Sequence, residues 1–146
     1  MRLRKSATCS TKPKRQRKSS LLAHFVRPLG RLMRIEGPSM TPLLSPGELV
    51  VVQEGAFDCT APRCGDLVAA RPSRLGGKAC VKRVVGLPHQ MVRDGARTWH
   101  LGANEYFLLG DHQEDSLDSR ALGPVTQEEL LGRVWFRLWP PARLSS

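Results

Sequence analysis

The chain has 146 residues, with 23 Lys and Arg against 13 Asp and Glu, a formal net charge of +10, and 40% of its residues hydrophobic. That length suits one domain able to bury a core of its own, and that apolar content excludes a wholly disordered chain. The charge does not mark the whole protein as a nucleic-acid binder, because residues 1–34 hold 11 of the basic residues and no acid, leaving 12 basic residues against all 13 acids beyond them.

Residues 1–33 are therefore expected to form a basic N-terminal tail, kept disordered by its own like charges. Attraction to anionic membrane or nucleic acid is a second reading of this tail, and an Arg-rich, acid-free organellar targeting segment is a third. Its most apolar stretch, residues 21–33, is interrupted by His24, Arg27, Pro28 and Arg31. It falls short of the roughly 18–20 apolar residues a membrane span needs, so no integral span is expected. The expected location is cytoplasmic, with peripheral membrane association through the tail as the alternative.

From residue 34 to 146 the pattern is that of a single, mainly β domain. Strands are predicted over 48–53, 66–71, 78–85, 91–93, 98–101, 106–109 and 133–138, each a β-branched or apolar run bounded by Gly, Pro or polar turns. Thr126 with Glu129 three residues later predicts a capping box and a helical turn through Leu131. Short strands at this spacing point to a β-barrel or sandwich. Cys9, Cys59, Cys64 and Cys80 lack the C-x2-C spacing of a zinc site, so no metal is expected and the thiols read as reduced. A Cys59–Cys64 disulfide would require an oxidising compartment.

Three segments hold unusual combinations. In Gly37-Pro38-Ser39-Met40-Thr41-Pro42 a serine lies between two prolines, so the backbone is stiff and holds a hydroxyl on a loop. In Lys82-Arg83-Val84-Val85-Gly86-Leu87-Pro88 two charges sit in an apolar strand, and alternation sends them to opposite faces. A lysine on the apolar face loses hydration, its pKa falls, and its neutral amine becomes able to take a proton from serine. In Gly110 to Arg120, a polar loop after an apolar strand, Ser116 is placed to hydrogen-bond a neutral lysine amine, and Asp118 can pair with Arg120. Each segment alone is equally an ordinary turn, edge strand or surface loop.

Together and in this order they resemble the type I signal peptidase family of Ser/Lys proteases. The matching segments are Gly37 to Pro42 with Pro46-Gly47-Glu48-Leu49-Val50, then Cys64 to Val68, Lys82 to Pro88, Gly110 to Val125 and Gly132 to Pro140. The resemblance spans about residues 34–141. It implies a compact catalytic core in which Ser39 attacks the scissile carbonyl, Lys82 is the general base, Ser116 orients the Lys82 amine, and Asp118 and Arg120 support that loop. No cofactor is implied. The backbone N–H of Ser39 would help bind the oxyanion. Some relatives carry a serine hydroxyl as second donor two residues earlier, where this chain has Gly37, and one such donor can be worth roughly 3–4 kcal/mol.

The segment between the Lys82 and Gly110 boxes is short and no anchor is expected. This form is similar to the branch that matures nickel-type superoxide dismutase by removing an N-terminal propeptide, which makes that precursor the expected substrate. The alternatives are a peptidase acting on signal peptides at a membrane, and a basic nucleic-acid-binding module with a degenerate protease fold. A Ser116/His112/Asp118 triad, a metal site at His89, His100, His112 and Cys80, and a self-cleaving repressor account for fewer of these residues.

Overall fold

The computed structural model describes residues 30–139 and 141–144. Nearly all of the expected basic tail lies outside these residues. The described part is mainly β, as the sequence predicts, and its principal sheet curls into a half-barrel.

In chain order the strands are β1 (Arg31–Arg34), β2 (Leu49–Glu54), β3 (Leu67–Ala70), β4 (Cys80–Gly86), β5 (Met91–Asp94), β6 (Arg97–His100), β7 (Glu105–Leu109), β8 (Val125–Thr126), β9 (Leu130–Arg137) and β10 (Ala142–Arg143). A single turn of α-helix, α1 (Ser119–Leu122), precedes β8. The large sheet runs β1-β2-β9-β3-β4-β7-β8, with β10 added to β9, and every pairing is antiparallel. β5 and β6 form a separate hairpin between β4 and β7.

The core lies on both faces of the central strands. Ala69 and Val81 face one cluster with Val50, Val52, Val134, Met40 and Leu44. Val68, Ala70 and Val84 face another with Tyr106, Leu108 and Val125. This explains why β3 reads as an unbroken apolar run and not an alternating one: all four residues are buried. Each buried Val or Leu contributes about 1.5–3 kcal/mol relative to exposure, so these clusters hold β4 firmly in place. The β5–β6 hairpin sits close over β4. A Cβ at Gly86 would come within 2.9 Å of the Leu101 and Phe107 side chains, so only glycine fits there.

Two expectations are corrected. β1 begins at Arg31, inside the segment assigned to the tail. Its register of Met33 to Val50 and Arg31 to Val52 shows why it escaped notice: one half-buried methionine faces the core, between arginines that look like tail. The helical turn after Thr126 has the capping box but covers only Gln127–Glu129 as a 3-10 turn. Leu130 has already joined β9, where it pairs with Ala70. A two-residue strand such as β8 or β10 has too little pattern to be read in advance.

Candidate active site

Ser39 lies in a run of turns between β1 and β2. The backbone enters through Gly37 at φ 76, a conformation that favours glycine. The Thr41 amide and hydroxyl both donate to the Pro38 carbonyl, at 2.9 and 2.8 Å. Met40 is buried to 1% exposure and anchors the turn in the core. The Ser39 carbonyl accepts a hydrogen bond from the His112 amide at 3.0 Å, which ties this turn to the loop after β7. The prolines stiffen the turn, the methionine fixes its depth, and the hydroxyl is left facing β4.

Lys82 sits in the middle of β4, opposite Val68 of β3, and is only 4% exposed. Its Nζ donates to Ser39 Oγ at 2.7 Å. Burial lowers its pKa from the ordinary 10.5, Cys80 and Asp118 oppose that shift, and Arg120 adds to it. The two charges of this strand lie on different faces, as alternation requires. Lys82 takes the buried face, whereas Arg83 reaches the Asp111 carboxylate through Nε and Nη2 at 2.8 and 2.7 Å and the Gly65 carbonyl through Nη1 at 2.9 Å. This fork-to-carboxylate pair clamps β4 to the start of the 110–120 loop. Asp111 carries no sequence signal of that role beyond its place in the loop motif.

Asp118 organises the loop. Its carboxylate accepts from the Gly110 amide at 3.1 Å, the Ser116 hydroxyl at 2.7 Å, the Arg120 amide at 3.1 Å, and Arg120 Nε and Nη2 at 3.0 and 2.8 Å. Burial would raise its pKa, yet these bonds from Arg120, Ser116 and Gly110 outweigh burial and hold it below the usual 3.8. Ser119, fully buried, accepts the Leu108 amide at 2.9 Å and fastens α1 to β7. Sequence reading passed over Ser119, because a serine in a polar loop gives no sign of being buried.

Ser116 is placed differently from expectation. Among the described residues its hydroxyl donates to Asp118 and makes no hydrogen bond with Lys82. Its partner Asp118 acts on the lysine through charge, raising the Lys82 pKa. A Cβ on Gly110 would collide with Ser116 Oγ and approach the Ser39 carbonyl oxygen to 2.6 Å, so glycine at 110 lets three parts of the site meet. At Gly37 nothing lies within 4 Å of where a side chain would start, and no side-chain donor stands beside Ser39 from that direction.

Ser39 and Lys82 open onto a cleft of about 680 Å³. One wall is β1 with the residues that follow it, the other is 78–82, and Met33, Ile35, Met40 and Val81 make the lining apolar near the pair. β1 is an end strand of the sheet, and β7 pairs with β4 only from Arg83 onward. Both walls therefore present strand edges to the cleft.

Residues 21–97 and 89–139 match the family described as signal peptidase, peptidase S26. The mitochondrial ATP-independent inner membrane protease subunit 1b of Arabidopsis thaliana is 32% identical over 121 residues, covering 77% of this chain and 72% of its own length. A probable signal peptidase I-1 of Synechocystis is 29% identical over 75% of this chain and 71% of its own length. Mitochondrial inner membrane protease subunit 1 of Homo sapiens is 29% identical over 77% of this chain and 71% of its own.

Proposed function

This chain belongs to the signal peptidase, peptidase S26, family and is a serine endopeptidase; from that premise we propose that Ser39 is its nucleophile, Lys82 its general base, and an N-terminal propeptide its substrate. The observation that carries the assignment is the 2.7 Å contact between Lys82 Nζ and Ser39 Oγ at a cleft. With the amine neutral, the Ser39 hydroxyl donates its proton to Nζ as Oγ attacks the scissile carbonyl. The Ser39 amide faces the developing oxyanion. The ammonium then protonates the leaving amine, and water, deprotonated by the same nitrogen, releases the acyl group. Burial of Lys82 raises its neutral fraction near neutral pH. Asp118, braced by Arg120 and Ser116, holds the loop against the pair.

A substrate chain would lie extended between the two cleft walls, with backbone pairing supplying affinity and the apolar floor supplying selection for small side chains. We assign the nickel-type superoxide dismutase precursor as that substrate, acting in the cytoplasm. The compact middle supports this reading, since only the β5–β6 hairpin lies between β4 and β7. Removal of signal peptides is the second reading, favoured by relatives named as signal peptidases and inner membrane proteases. No described helix is long and apolar enough to cross a membrane. The contact between Lys82 and Ser39 argues against the nucleic-acid-module reading.

The test is co-expression with the dismutase precursor and, separately, with a secretory precursor, reading each N-terminus by mass spectrometry. Processing of the first that stops with Ser39→Ala supports the proposal. Processing of the secretory precursor alone transfers the substrate assignment to the second reading. Processing that persists with Ser39→Ala overturns the mechanism.

A further inference from the structure

The cleft lining carries both acidic and basic side chains. Its two walls, β1 and residues 78–82, both run toward the Ser39–Lys82 pair. At the end beside that pair the lining includes Glu36, next to the Gly37 turn, and Asp115, on the loop tied to the Ser39 carbonyl. Farther along, the two walls carry Arg31 and Lys78; Arg34, also in the lining, alternates to the other face of β1. Arg31 shares the face of β1 with Met33, which packs on the core, and both residues line the cleft. Among the described residues its ionic contact is an open one, 3.7 Å from Glu54, with the two side chains 58% and 53% exposed. The Lys78 side chain makes no ion pair or hydrogen bond among the described residues.

Lys78 precedes Lys82 by four residues, at most about 13 Å at roughly 3.3 Å per extended residue, since β4 itself begins at Cys80. A substrate strand advances at the same rate. A substrate residue within reach of both Arg31 and Lys78 would therefore lie no more than about four or five positions from the bond at Ser39. We propose that the cleft selects substrates bearing an aspartate or glutamate there, held by Arg31 and Lys78 from opposite walls. This rests on the Ser39–Lys82 assignment above and names a feature of the substrate that the assignment leaves open. A strand parallel to the walls puts the acid on the N-terminal side of the scissile bond, and an antiparallel one puts it on the C-terminal side.

The experiment uses the full chain and quenched fluorescent peptides with alanines flanking the cleaved bond. Glu, Gln or Lys is placed at the fourth or fifth position on either side. On one side, kcat/KM is expected to favour Glu over Lys by about threefold to tenfold at low salt, two exposed charge pairs each contributing modestly. The ratio is expected to shrink at high salt, as screening of exposed charges requires, and to invert in the double variant Arg31→Glu, Lys78→Glu. A ratio within twofold of unity on both sides, or one the double variant leaves unchanged, overturns the inference. Should turnover be slow, the affinity of the Ser39→Ala variant for the same peptides gives the same comparison. Equal affinity, or no binding of the Glu peptide, again overturns it. The two proposals fail differently: Ser39-dependent cleavage without charge preference removes only this one, whereas cleavage that survives Ser39→Ala removes the dyad.

Discussion

Lys82 is a buried amine, 4% exposed, whose hydrogen bond among the described residues is to a serine hydroxyl. A lysine held this way costs stability while it is charged, and that cost favours the neutral amine the proposed general base requires. Replacing Ser39 or Lys82 by alanine is expected to reduce kcat/KM by at least about 10³-fold, as removal of a nucleophile or its base does elsewhere, with circular dichroism unchanged. Activity depends on the neutral amine, so kcat/KM is expected to rise with pH through the Lys82 pKa, which lies below 10.5. Stability follows the same sign. Between the lowered folded pKa and 10.5 the unfolded chain holds a proton that the folded chain does not, so unfolding free energy rises with pH in that window. Lys82→Met is expected to lose this slope and, near neutral pH, to be more stable than the parent by about 1 kcal/mol in urea titrations, because an apolar side chain replaces a buried charge. A destabilised Lys82→Met would contradict the account.

At the scale of elements, the loop after β7 is a frame built on one carboxylate. Asp118→Ala would strand the Gly110 amide and the Arg120 guanidinium, and is expected to cost about 3 kcal/mol. It would also remove a negative charge that raises the Lys82 pKa and leave Arg120, which lowers it, so the alkaline rise in activity is expected to move to lower pH. Ser116→Ala removes one hydrogen bond to that carboxylate, costs about 1 kcal/mol, and is expected to leave the pH midpoint in place. A large midpoint shift with Ser116→Ala would restore the direct contact with Lys82 that the sequence suggested. The strands of the central sheet were legible because both their faces are buried and their apolar runs are continuous. Lys82 was legible because alternation forces one of two neighbouring charges inward. β1 was not, since three of its four residues are exposed. The partner of Ser116 was not legible either, because a short polar loop offers several acceptors and only its folded path decides among them.

Over the whole molecule, two apolar clusters flank the strands that carry the lysine, while the serine arrives on a turn anchored by Met40. The proposed nucleophile and base thus come from positions 43 residues apart and meet through the fold. Local opening that separates β1 from β2 would disturb the serine turn before it disturbed β4. The most direct measurement of the central claim is an acid-quenched reaction with a cleavable peptide, followed by tandem mass spectrometry of the enzyme. The account predicts the N-terminal half of the peptide as an ester on Ser39 in the parent protein, and no adduct and no turnover with Lys82→Ala. An adduct on another residue, or undiminished turnover with Lys82→Ala, would contradict it.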